Sequence, residues 1–116
     1  MEIFIDFAVS ALKESGKRKI RFLVDTGATR SWLPEAEAKK IGVKEEGKVP
    51  VELADGSIKD MPYGFCYFIY NGEKVVQNVI IGGCEPLAGV HTLQDFRMII
   101  DLEHHTIKRG KALRAK

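Results

Sequence analysis

Asp25 stands at the end of the apolar run Phe22-Leu23-Val24 and is followed by Thr26, Gly27, Ala28 and Thr29. A carboxylate there is costly without a use, because an ionised group beside an apolar segment loses hydration. The use its neighbours suggest is acid–base chemistry on water. Two carboxyl groups within hydrogen-bond reach share one proton, since both cannot easily ionise side by side. The ionised member can take a proton from water while the protonated member polarises a carbonyl, and the roles then exchange. The titrations belong to the pair and not to either acid alone. Thr26 offers a hydroxyl that can fix the turn through backbone groups. Gly27 lets the chain pass close to a partner carboxylate, and Ala28 keeps the neighbouring space small.

Asp25 is alone in such a setting. The other aspartates occur as Asp6-Phe7-Ala8, Asp55-Gly56-Ser57, Asp60-Met61-Pro62, Asp95-Phe96-Arg97 and Asp101-Leu102-Glu103, and none repeats apolar run, aspartate, hydroxyl, glycine. A two-fold homodimer supplies a second, identical loop and makes activity depend on protein concentration. Other chemistries find less support. Adjacent His104 and His105 in a strand would face opposite sides and not share an ion, so no metal site is assigned. Cys66 and Cys84 lack metal-type spacing and read as buried, reduced thiols. No cofactor is called for.

The elements that must hold Asp25 are mostly strands. Ile3, Ile5 and Phe7 alternate with Glu2, Phe4 and Asp6 at period two, and Ile20 to Val24 runs back after a turn at Ser15-Gly16-Lys17. The end of that second strand is expected to be buried. Pro34 opens a helix to Ile41, with Glu35 and Glu37 near its positive end, Lys39 and Lys40 near its negative end, and Gly42 as its stop. Val49 to Leu53 and Ser57 to Lys59 flank the turn Asp55-Gly56, and Tyr63 to Tyr70 and Lys74 to Ile81 flank Asn71-Gly72. A short helix is expected over Thr92 to Phe96, then strands from Met98 to Leu102 and over Thr106 to Lys108. Many short strands punctuated by turns predict a mainly β fold, a small closed antiparallel barrel with one or two short helices. Trp32 reads as packing against that barrel. Phe65, Tyr67, Phe68 and Tyr70 read as strand core and surface.

The bulk properties fit one domain. The chain has 116 residues, of which 45% are hydrophobic, enough for a modest core. A net charge of +2 argues against a nucleic-acid or anionic-membrane partner. No apolar run reaches membrane-spanning length, and the acids within Met1 to Asp6 do not suit a signal peptide. The expected compartment is the cytoplasm.

Taken together, these motifs resemble the retropepsin-like aspartic proteases, the single-domain dimeric class found in retroviruses, retroelements and cellular proteins. Val24 to Thr29 resembles the catalytic loop, with Asp25 catalytic and Thr26, Gly27 and Ala28 as its support. Leu33-Pro34 and the helix after it resemble the segment that cellular members place there. Ala54, Asp55, Gly56 and Ser57 fall where the family carries its flap, the mobile cover over bound peptide. Pro86-Leu87-Ala88-Gly89 resembles the second hallmark loop, and Met98 to Asp101 the strand beyond it. Viral members carry acids where this chain has Thr29-Arg30-Ser31, and arginine after the second glycine where it has Val90-His91. The resemblance covers residues 1–109 as one domain and leaves 110–116 as a basic, loose tail. It implies a homodimeric endopeptidase that hydrolyses peptide or protein substrates through paired Asp25 carboxylates, without cofactor. The departures leave an alternative, a dimeric peptide- or protein-binding module that kept the fold and lost turnover.

Overall fold

The computed structural model describes residues 2–13 and 16–110. Ser15 of the expected first turn and residues 111–116 of the expected tail lie outside the described residues. The chain runs through β1 (Phe4–Ala11), β2 (Lys17–Val24), β3 (Trp32–Leu33), α1 (Glu35–Ile41), β4 (Gly47–Glu52) and β5 (Ile58–Tyr70). It continues through β6 (Glu73–Ile81), β7 (Leu87–Ala88), α2 (Val90–Asp95), β8 (Met98–Asp101) and β9 (Thr106–Arg109).

Seven strands form one sheet in the order β1-β2-β7-β3-β6-β5-β4, and a further pairing of β1 with β5 closes it into a ring. The mainly antiparallel ring expected from the strand pattern is therefore present. Two parallel contacts, β2 with β7 and β3 with β6, are inserted by the two shortest strands. Strands β8 and β9 make a separate hairpin.

Strand β5 is longer than the expected Tyr63 to Tyr70. It begins at Ile58 and serves two partners along one edge, β4 up to Tyr63 and β1 from Cys66 to Ile69. Pro62 does not interrupt it, because β6 begins pairing only at Tyr63. Where a strand has a partner on one side alone, a missing amide donor is tolerated.

The ring interior follows the period-two pattern. Ile5, Phe7 and Val9 of β1, Ile20 and Phe22 of β2, and Cys66 and Phe68 of β5 are all buried. Phe7 packs against Phe22, Phe68 and Phe96 at centroid distances of 5.7, 5.1 and 5.0 Å. Each such ring, once buried, contributes about 1.5–3 kcal/mol.

Helix α1 starts one residue later than expected, because Pro34 has an extended ψ of 146° and acts as its N-cap. Gly42 ends it at φ +92°, where both its own N–H and that of Val43 donate to the Ala38 carbonyl. Helix α2 starts at Val90, two residues before the expected Thr92. The amides of Val90 and His91 donate to the carbonyls of Ala28 and Thr29, so the helix begins where it docks on that loop. Gly110, expected to begin the loose tail, donates its N–H to the Arg97 carbonyl.

Candidate active site

Asp25 is held by the end of β2. Its backbone N–H donates to the Ala88 carbonyl at 2.9 Å, and the preceding Val24 N–H donates to Ile3 at 2.8 Å. Its carbonyl accepts from Ala28 N–H, and its Oδ1 accepts from Gly27 N–H at 2.9 Å. The other carboxylate oxygen has no hydrogen bond to a described residue. A Cβ at Gly27 would lie 3.2 Å from Oδ1, so glycine leaves space beside the acid. Asp25 and Ala28 are half-buried, while Thr26 and Gly27 are exposed at the protomer surface. Leu23 and Val24, expected to be buried, are also only half-buried, since β2 ends where the ring opens.

The second hallmark loop locks onto the first. Gly89 packs so close that a Cβ there would lie 2.5 Å from the Arg30 carbonyl oxygen and 2.8 Å from that of Ala28. Its N–H donates to Ser31 Oγ at 2.9 Å. Ser31 Oγ in turn lies 2.5 Å from Thr92 Oγ1, which donates to Gln77 Oε1 at 2.6 Å. Gln77 Nε2 then donates to Asp95 Oδ2 at 2.9 Å. Ser31, Thr92 and Gln77 are all buried, so this polar chain runs through the interior with each member satisfied. Sequence reasoning missed it. A readable signal was Gln77, a polar residue sharing a strand face with Val75 and Val79.

Asp25 opens into a cleft of about 770 Å³ between this loop and the β4–β5 hairpin. A cross-strand row passes through the cleft floor. Leu23 pairs with Leu87, Leu87 with Trp32, Trp32 with Ile80, Ile80 with Tyr63, and Tyr63 with Gly47. Residues paired in this way share a face of the sheet. Trp32, Ile80 and Leu87 line the cleft directly. Trp32, expected to pack against the barrel, does so against Gly83 while also forming cleft wall.

Of the flap residues, Ala54 lines the cleft together with Val49, Val51 and Leu53 of the hairpin's first arm. Asp55, Gly56 and Ser57 form the turn itself. The Asp55 carboxylate accepts from Ser57 Oγ at 2.6 Å and from Ser57 N–H at 2.9 Å, and these bonds hold it below the usual carboxylate range. Gly56 takes φ +87° there. Leu87 faces the cleft, and Ala88 is in the core.

The remaining chemical residues lie elsewhere. Cys66 is buried, and burial pushes its thiol up to about 12. Cys84 is exposed, contrary to expectation, because it follows the turn Gly82-Gly83 and falls outside any strand. His104 and His105 sit in the β8–β9 turn and not in a strand. His104 Nδ1 lies 2.8 Å from Asp101 Oδ2 and, as that acid's first cause, holds it below the usual carboxylate range. Donor atoms of Asp101, Glu103 and His104 lie within 4.8 Å of one another, and none of the three lines the cleft.

A family model described as aspartyl protease matches residues 11–82. No curated protein sequence matches the chain. Among solved structures, the chain is similar to the EIAV protease complexed with the inhibitor HBY-793, at TM-score 0.68 and 14% identity over 82% of this chain and 88% of that one. It is similar to the retroviral protease-like domain of Ddi1 from Leishmania major, at TM-score 0.57 and 16% identity over 95% and 90%. A retropepsin-like aspartic protease from Rickettsia conorii gives TM-score 0.54 and 18% identity over 87% and 88%. The family match spans more than half of the 116 residues, and the ring of strands is that of the retroviral proteases. The chain belongs to the aspartyl protease family and has the retropepsin-like fold.

Proposed function

We propose that this protein is an aspartic endopeptidase that works as a homodimer, with the Asp25 carboxylates of two chains activating one water. The observation that carries the reading is the placement of Asp25. Its carboxylate is fixed by one amide, keeps one oxygen open, and stands at a cleft walled by a β hairpin. The adjacent Thr26 and Gly27 are exposed, which leaves the loop free to meet its copy across a two-fold axis. In the dimer one Asp25 is ionised and draws a proton from water, while the other donates to the scissile carbonyl oxygen. As the amine leaves, the proton returns through the same pair.

The substrate is an extended peptide segment laid along the cleft floor beneath Val49, Val51, Leu53 and Ala54. Thr26, Gly27 and Ala28 shape the catalytic loop, and Leu87, Ala88 and Gly89 brace it. Residues 1–109 act as one protease domain. The reading requires no cofactor. Its proposed compartment is the cytoplasm, supported by two cysteines that stand free. Among the described residues no helix is long and apolar enough to cross a membrane.

The test is cleavage of denatured casein from about pH 4 to 7 by wild type and Asp25→Asn, since carboxyl pairs work below neutral pH. Cleavage that Asp25→Asn loses by a factor of about 10²–10⁴ is the expected result. Equal cleavage by both proteins, or none at any concentration, favours a silent dimeric binding module.

A further inference from the structure

Arg30 is the cationic side chain in the lining of the cleft. It is half-buried, and its guanidinium lies 6.0 Å from the centroid of the Tyr63 ring. That is the outer limit of a cation–π contact, and no described residue accepts a hydrogen bond from the Arg30 N–H groups. Arg30 makes no ion pair with a described residue. The surroundings are apolar, with Trp32, Ile80 and Val49 on the same cleft. A cation in such a setting lacks a counter-charge and has lost part of its hydration.

Two acids share the cleft, and neither serves Arg30. Asp25 accepts from the Gly27 N–H and makes no ion pair with a described residue. Glu52 is exposed on the opposite wall, beyond ion-pair distance of Arg30. Arg30 therefore brings to the cleft a positive charge that no described acid balances.

Building on the endopeptidase reading, we infer that Arg30 forms a cationic subsite that selects peptides carrying a glutamate or aspartate side chain. The carboxylate meets the guanidinium edge in a bidentate pair, backed by the Tyr63 ring. The selected residue lies away from the cleaved bond. An acid at the bond itself would face the shared Asp25 charge and be repelled.

The test measures binding separately from turnover. Asp25→Asn protein is titrated with short fluorescent peptides carrying glutamate, glutamine or lysine at each position in turn, at about pH 6, where glutamate is ionised. At one position glutamate is expected to bind about tenfold tighter than glutamine, with lysine weakest. Adding Arg30→Gln should erase that difference, Arg30→Lys should retain part of it, and Arg30→Glu should make lysine the preferred residue. The preference should shrink in about 1 M salt, which screens a partly exposed pair.

Equal binding of the three peptides at every position overturns the subsite, as does an acidic preference that survives Arg30→Gln. Absence of binding by all peptides overturns it too. Casein cleavage by wild type reads the hydrolase independently. Turnover without charge discrimination keeps the protease and removes the subsite. Discrimination without turnover keeps the subsite on a binding module.

Discussion

Gly89 shows how little freedom the candidate site has at single residues. Its φ of −91° is open to any amino acid, so its identity rests on space alone. The atoms that would meet a Cβ are the backbone carbonyls of Arg30 and Ala28, which cannot rotate away as a side chain can. Gly89→Ala is expected to cost about 1–3 kcal/mol of stability by overpacking and to displace the loop carrying Asp25. Denaturant midpoints and casein cleavage should both fall. Gly56→Ala makes the contrasting case. Nothing lies within 4 Å of its Cβ, but φ is +87°, so the cost is local strain of about 1 kcal/mol with the Asp25 loop untouched. An activity loss as large in Gly56→Ala as in Gly89→Ala would refute this division of roles. At this scale the sequence was legible where chemistry is local. Asp25, Thr26 and Gly27 are neighbours, and the tight loop they make is legible in their types. Ser31 and Thr92 are 61 residues apart. Nothing beside either one announces the other, because their partnership arises only when the ring closes.

Between elements, two polar devices join parts of the scaffold. The first is the buried chain from Gly89 N–H through Ser31, Thr92 and Gln77 to Asp95, which ties the Asp25 loop, α2 and β6 together. Thr92→Val keeps the shape and deletes the hydroxyl, leaving Ser31 and Gln77 each short of a partner. The expected loss is about 1–3 kcal/mol, with Thr92→Ser close to wild type in a thermal melt. Equal melting of Thr92→Val and wild type would show that water or rearrangement replaces the hydroxyl. The second device clamps the β8–β9 hairpin to the ring. Glu73 at the start of β6 accepts hydrogen bonds from both Arg97 and Arg109. These bonds hold its carboxyl at about 2, against an ordinary 4.5. A depressed acid stabilises the fold above its unfolded value, and that contribution is lost as pH falls through the folded one. Melting temperature should therefore fall more steeply between pH 4.5 and about 2 in wild type than in Glu73→Gln. Parallel curves would refute the clamp. Element positions followed from periodicity and turn residues wherever partners were adjacent, as at Asn71-Gly72. The two-residue strands β3 and β7 were invisible because pairing alone, and no local pattern, makes them strands.

At the scale of the whole molecule, the proposed mechanism needs a second copy, and the protomer carries a surface suited to one. Phe4 is 45% exposed and pairs across the sheet with Leu23, on the face that continues through Leu87 and Trp32 into the cleft. Thr26 and Gly27 are exposed beside it at the end of β2. An isologous contact here would bring each Asp25 loop to its own copy and cover both Phe4 rings at once. Burying a phenylalanine is worth about 1.5–3 kcal/mol, and the two-fold doubles the effect of any change. Casein cleavage per protein molecule should accordingly rise with protein concentration and level off where sedimentation shows dimers. Phe4→Glu places a charge against its own copy and should move the half-maximal concentration up by at least about tenfold. The plateau should survive, because Phe4 touches neither the water nor the peptide. Activity per molecule that stays constant down to concentrations where sedimentation shows only monomers would mean that one Asp25 suffices. In that case the paired-carboxylate mechanism fails, whatever the fold.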